Sequence, residues 1–161
     1  MIVPGGPGIE VQVTSVAGDL PDSRDVERWI QNTLDAADYP GCATTTVRIV
    51  DEDEIRVLNR DFRGKDKPTN VLSFPAEVID GLPAELHTEL GDIVVCAPVV
   101  RAEADEQGKA LSDHWAHMLV HGTLHLLGYD HIEEHDADTM EALERRILGQ
   151  AGIADPYGAT G

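Results

Sequence analysis

One run of eleven residues, His121-Gly122-Thr123-Leu124-His125-Leu126-Leu127-Gly128-Tyr129-Asp130-His131, restricts what this chain can fold into more than any other. Residues four apart on an α-helix lie about 6 Å apart on one face. A helix through the run therefore points His121 and His125 at one spot. Gly128 offers the left-handed position that ends such a helix, since only glycine reaches positive φ without steric cost. The chain turns there and can bring His131 back towards the same point. Three histidines on one cation leave a tetrahedral zinc with an open fourth position, which marks a catalytic rather than a structural site. A lone histidine would carry no such meaning; the whole spacing H-x3-H-x2-G-x2-H does.

The spacing is that of the metzincin peptidases, whose second residue is a glutamate acting as general base. This chain has Gly122 there, which cannot accept a proton. The metal scaffold is present without the proteolytic base, and peptide hydrolysis is disfavoured on chemical grounds.

At 161 residues the chain fits one domain spanning 1–161, long enough to bury roughly two-thirds of its unfolded surface. Residues 1–8 (M-I-V-P-G-G-P-G) are rich in proline and glycine and are expected to be flexible. Cys42 and Cys96 are too few and too isolated for a disulfide framework and are expected to pack as small apolar residues. No start segment resembles a signal peptide, and no apolar run approaches the roughly 20 residues of a membrane span. The expectation is a soluble, cytoplasmic protein with no membrane partner.

The net charge of −18 argues against simple electrostatic attraction to nucleic acid. Its distribution is uneven. Five of the twelve basic residues, Arg56, Arg60, Arg63, Lys65 and Lys67, fall within positions 55–67 against Asp61 and Asp66, leaving that stretch at +3. Such a stretch reads either as a solvated helix face running into a charged loop or as a contact for phosphate.

Ile9 to Val16 alternates apolar and polar residues, the period of a half-buried strand. Asp22 or Ser23 can cap a helix to about Ala37 that buries Val26, Trp29, Ile30 and Leu34. Thr44 to Val50, rich in β-branched residues, is a second strand. Asp51 to Glu54 then place four acids at the start of a helix carrying Ile55, Leu58 and Phe62 inward. A loop from Arg63 to Thr69 leads into a short strand, Val71 to Phe74, and a polar connection follows from Glu77 to Glu89. Gly91 to Ala97 is a buried strand, and Pro98 suits the first turn of the next helix. The histidine helix runs from about Ser112 to Gly128, and a last helix from about Glu133 to Leu148 packs Met140, Leu143 and Ile147 on the core. Strands come first and helices accumulate later. The fold class is α+β, with a small mixed sheet of about four strands packed with helices and the metal site on a helix of the C-terminal half.

On the histidine helix, His114, His117, His121 and His125 fall within a stripe about 80° wide, opposite Trp115, Leu119, Gly122 and Leu126. His114 lies about 10 Å before His121, too far to share its ion. His117 is near enough to support a ligand or transfer a proton, or it simply lines the cleft. Asp130 could orient an imidazole or cap the following helix. Open-site zinc activates water and polarises a substrate oxygen. With no carboxylate at 122, a phosphodiester suits the site better than an amide. Arg63 is the best placed of the basic cluster to meet phosphate with its planar fork. Lys65 and Lys67 would hold the nucleic-acid backbone.

Three motifs resemble the YbeY endoribonuclease family, zinc-dependent proteins of ribosomal RNA maturation. They are Asn59 to Pro75 (N-R-D-F-R-G-K-D-K-P-T-N-V-L-S-F-P), Leu90 to Cys96 (L-G-D-I-V-V-C), and His114-Trp115-Ala116-His117 through His121-Gly122 to Tyr129-Asp130-His131. The resemblance implies a zincin-like fold, one Zn2+ per chain on His121, His125 and His131, and a functional arginine at Arg63. It also implies cleavage of single-stranded RNA in 16S rRNA 3′-end maturation and ribosome quality control, with the small ribosomal subunit or assembly factors as partners. The acidity departs from what RNA binding by an isolated enzyme requires. The competing readings are a non-catalytic zinc-containing ribosome-assembly factor and, further off, a metallopeptidase. Three imidazoles would also accept nickel or copper.

Overall fold

The computed structural model describes residues 8–39, 44–76, 89–129 and 134–153. Four strands, β1 (Gly8–Val13), β2 (Thr44–Val50), β3 (Val71–Pro75) and β4 (Glu89–Cys96), form one sheet in the order β1-β2-β4-β3. β1, β2 and β4 run parallel, and β3 lies antiparallel to β4 at the edge. Five helices accompany them: α1 (Ser23–Ala36), α2 (Glu52–Arg63), α3 (Ala97–Gln107), α4 (Leu111–Leu126) and α5 (Glu134–Gln150). The architecture is α+β with a mixed four-stranded sheet, as the chain order of strands and helices leads one to expect.

Side-chain alternation divides the sheet into two faces. Val47, Ile49, Ile93 and Val95 point to one face and meet Val26, Ile30 and Leu34 of α1 and Leu119 and Leu124 of α4, with Met140, Ile147 and Leu148 of α5 in the same core. Val50, Leu72, Val94 and Cys96 point to the other and meet Ile55 of α2. The second half of β4, from Ile93 to Cys96, is covered on both faces, which is why it reads as a continuous apolar run after the exposed Asp92. Cys96 packs there as a small apolar residue, and burial pushes its thiol up to about 11.

Three boundaries or orientations differ from the sequence expectation. Strand β1 stops at Val13 because Thr14 and Ser15 both direct their N–H groups to Ile49 O. The Ser15 hydroxyl and Val16 N–H then bond to the Asp51 carboxylate and pull the chain off the sheet. Asp51 does precede α2, as its acidic start suggested, but its side chain holds this turn, not its own helix end. Phe62 was expected inward on α2; it is 67 % exposed. The helix has run past the apolar part of the sheet by its last turn. The connection 77–88, Cys42 and the N-terminal residues 1–7 lie outside the described residues.

Gly91 holds the β3 edge in place. Its φ is +128°, and a Cβ on it would sit 2.1 Å from Phe74 O and 2.9 Å from Pro75 Cα. Gly91→Ala should therefore cost about 2–4 kcal/mol of stability, from backbone strain plus overpacking. Urea unfolding of the two proteins measures this; a loss below about 1 kcal/mol would show that the strand pair relaxes freely.

Candidate metal centre and phosphate cleft

Helix α4 places imidazoles on one side and a close-packed face on the other. Gly122 faces the sheet: a Cβ there would stand 3.0 Å from Ile93 Cγ2 and 3.3 Å from Val71 Cγ2, and Ser73 Oγ donates to Gly122 O at 2.9 Å. The glycine thus lets β3 approach the helix. No glutamate side chain fits that space, so the missing base of the peptidase pattern is a packing requirement as well as a chemical absence. The helix closes through Tyr129 N–H to Leu124 O at 3.1 Å, with Gly128 at φ +101°, the left-handed role read from its position.

The imidazoles are tied from below by carboxylates. Glu144 on α5 is fully buried; its two oxygens take His117 Nε2 at 3.0 Å and His121 Nδ1 at 2.7 Å. With the carboxylate as acceptor, the His121 proton is assigned to Nδ1, and the lone pair of Nε2 points away from the core. There it meets His125 Nε2 at 3.0 Å. Two nitrogens on a tetrahedral zinc with bonds of 2.0–2.1 Å lie about 3.3 Å apart, so the pair is spaced for one ion. A carboxylate behind a ligating histidine is the usual device for fixing the ring and raising its basicity. His117, His121 and Glu144 also bring three ligand atoms within 4.8 Å of one another and could themselves hold an ion. In that inner trio both Glu144 oxygens are taken by His117 and His121, whereas His121 and His125 open on a cleft.

The cleft, about 780 Å³, runs over the β3 edge from His121, His125 and Tyr129 to Phe62 and Arg63 at the end of α2. Arg63 is positioned by its helix end. Gly64 adopts the left-handed cap at φ +71°. Buried Asn59 then fastens the following loop with Nδ2 to Lys67 O at 2.8 Å. Of the five clustered cations, Arg56 is paired with Asp66 at 2.8 Å and Arg60 with Asp61 at 3.0 Å. Arg63, Lys65 and Lys67 make no ion pair among the described residues, and all three are exposed.

A second anchor lies at the other end of α4. His114 Nε2 meets Glu103 Oε1 at 2.9 Å, and both Glu103 oxygens accept from Asn70 Nδ2 at 3.1 and 3.2 Å. Asn70 leads into β3, so the arginine loop and the histidine helix share one carboxylate. Burial lowers the His114 pKa, against the opposing pull of Glu103.

Residues 12–152 match the family described as Endoribonuclease YbeY. The chain belongs to that family. Among curated relatives so named, that of Halorhodospira halophila is 59 % identical over 150 residues, covering 92 % of this chain and 96 % of its own. Those of Alcanivorax borkumensis and Alkalilimnicola ehrlichii are 53 % and 55 % identical, each over more than nine-tenths of this chain. The fold is similar to the solution structure of TM1509 from Thermotoga maritima, with TM-score 0.54 and 26 % identity over 92 % of this chain and 99 % of that one.

Of the residues singled out from the YbeY motifs, the structure brings His121, His125 and Arg63 to one cleft. Lys65 and Lys67 stand on the adjoining loop outside its lining. His117 is not a cleft-wall residue; it is buried against Glu144. His131 and Asp130 lie outside the described residues. Sequence reasoning missed Glu144 and Glu103. For Glu144 a signal existed: it sits on the same stripe as Met140 and Ile147, where an unpartnered carboxylate would be prohibitively costly.

Glu144→Gln should weaken the binding of added Zn2+ at this candidate centre about 10- to 100-fold, because the amide is a poorer acceptor for His121 Nδ1–H. Competition against a chelating dye measures it, and an unchanged affinity would remove Glu144 from the centre. His114 gives a pH dependence. Its folded pKa lies below the ordinary 6.5, so the unfolded chain takes up the proton first and this contribution is complete above pH 6.5. Stability is lost as pH falls from 6.5 towards the folded value. Urea unfolding of metal-free protein between pH 7 and 5 should therefore show a steeper decline for wild type than for His114→Gln; parallel curves would contradict this.

Proposed function

We propose that this chain is a zinc-dependent endoribonuclease specific for single-stranded RNA, acting in 16S rRNA 3′-end maturation and ribosome quality control. The observation that carries the reading is one cleft holding a guanidinium with no ion pair among the described residues beside two convergent imidazole nitrogens. The relatives' name, endoribonuclease, supports the reaction class. His121 and His125, with His131 as third ligand, would hold one zinc ion per chain. Zinc bound there supplies Lewis acidity towards a phosphoryl oxygen and a water of lowered pKa.

The protein's own groups do the rest. Arg63 offers two parallel N–H bonds to the phosphate oxygens, where charge grows in the transition state. Glu144 holds the His121 ring in one tautomer, and His117 holds the other oxygen of Glu144. Lys65 and Lys67, exposed beside the cleft mouth, take neighbouring phosphates and fix the register of the strand without reading its sequence. A chain of net charge −18 repels RNA outside this patch. Part of the affinity is therefore assigned to the small ribosomal subunit or an assembly factor. No helix among the described residues is long and apolar enough to cross a membrane.

Zinc content and cleavage of single-stranded RNA, measured on wild type, His121→Ala and Arg63→Glu, test the division of roles. His121→Ala should lose both metal and cutting. Arg63→Glu should keep its metal and lose cutting by about 10²–10³-fold, the range seen when one transition-state donor is removed. Equal activity in all three would assign the cutting to a contaminant and favour a non-catalytic assembly factor.

A further inference from the structure

Phe62 is a large apolar side chain left 67 % exposed one residue before Arg63. Its ring meets that of Phe74 edge-on, with centroids 5.1 Å apart and planes at 69°. The two rings form a partition. On one side is the cleft of Arg63, His121 and His125. On the other is a smaller hollow of about 290 Å³, floored by the outer face of the sheet and lined by Thr46, Arg48, Asp92, Val94 and Leu58 besides the two rings. Strand register makes that floor: Thr46 pairs with Asp92, Asp92 with Phe74, and Arg48 with Val94, all on the α2 side. Helix α2 covers this face near Val50, Leu72, Val94 and Cys96, while Thr46 stays half-buried and Asp92 exposed.

We propose that this hollow is a nucleobase subsite: the base next to the scissile phosphate stacks on Phe62 and turns its edge to Asp92, Thr46 and Arg48. The proposal rests on the ribonuclease reading of the adjoining cleft and names the part of the substrate that reading leaves open. Four observations carry it. The two hollows share Phe62 and Phe74, so a strand with its phosphate on Arg63 has its next base within reach of the second hollow. The volume is at the small end of the roughly 300–1,000 Å³ usual for ligand pockets, which suits one base and excludes a base pair. The charge is wrong for a phosphate: Arg48 is already paired with Glu54 at 3.2 Å, and the exposed Asp92 carboxylate repels an anion. A neutral base bearing an exocyclic amino group suits that carboxylate, and an aromatic face accepts any base independently of charge. Stacking thus gives an acidic protein a grip on RNA that its net charge denies it. A base held this way must be unpaired and lifted from its neighbours, which supplies a structural origin for single-strand specificity.

The test is a cycle on the zinc-loaded protein, combining Phe62→Ala with a single-stranded RNA that lacks one base beside the cleavage site. Dissociation constants come from stopped-flow anisotropy, ahead of cleavage, and KM and kcat from the same RNAs. With intact RNA, Phe62→Ala should raise Kd and KM about 5- to 100-fold and leave kcat nearly unchanged, the loss expected for one stacked base. With the abasic RNA the same substitution should have little further effect, because the partner is already gone. Phe62→Tyr, which keeps the ring, should bind as wild type does. Asp92→Asn should weaken binding of an amino-bearing base more than of uracil. Additive losses from the base and from Phe62, or equal Kd for all proteins, would overturn the subsite. So would loss of a dimer by Phe62→Ala with RNA affinity intact, which would give this face to a second copy. Absence of any cleavage would refute the ribonuclease reading but not touch the binding cycle, so the two failures are separable.

Discussion

Everything at this site depends on a carboxylate that water does not reach. Glu144 belongs to a helix otherwise packed through Met140, Ile147 and Leu148, and it is as buried as they are. An ionisable group in that position survives only if its oxygens are occupied by donors. His117 and His121 occupy both. The bond sets the tautomer of His121, turns its other nitrogen outward and ties α5 to α4. Glu103 does the corresponding work at the start of α4, with His114 and Asn70 as partners. The histidine helix is thereby fixed at two points about two turns apart, and one of those points also holds the strand that follows the arginine loop.

Close approach is the second constraint. The Gly122 position brings the edge strand against the helix, with the Ser73 hydroxyl bonding directly to the helix backbone. That contact narrows the space between β3 and α4 and forms one wall of the cleft. It also explains why this helix does not carry a base after its first candidate ligand: the position faces the sheet, not the cleft. The groups that face His121 and His125 therefore come from across the cleft, Arg63 among them.

Charge is handled by local pairing. Asp66 and Asp61 neutralise Arg56 and Arg60, which leaves the +3 of this segment concentrated on Arg63, Lys65 and Lys67. An acidic surface elsewhere confines a polyanion to this one region. Phe62 extends the same region with a contact that salt does not screen.

Local pattern was enough to read much of this protein. Helical spacing placed His121 and His125 together, Gly128 marked the end of their helix, and Thr44–Val50 was legible as a strand to the residue. Those features depend on neighbours within a few positions, where backbone geometry alone relates sequence to space. Phe62 misled because a helical stripe says which residues share a face, not where the opposing surface ends. The partners of Glu144 and Glu103 were hidden for a related reason: each meets a histidine 23 or 11 residues away, and only packing brings them together, although the place of Glu144 on an apolar stripe marked it as needing a partner. The sequence by itself determined the histidine helix, the glycine at 122 and the basic cluster. The tertiary structure alone decided which cations stay unpaired, which imidazole nitrogen faces the cleft, and what lies beside Phe62, because burial and long-range hydrogen bonding settle those questions.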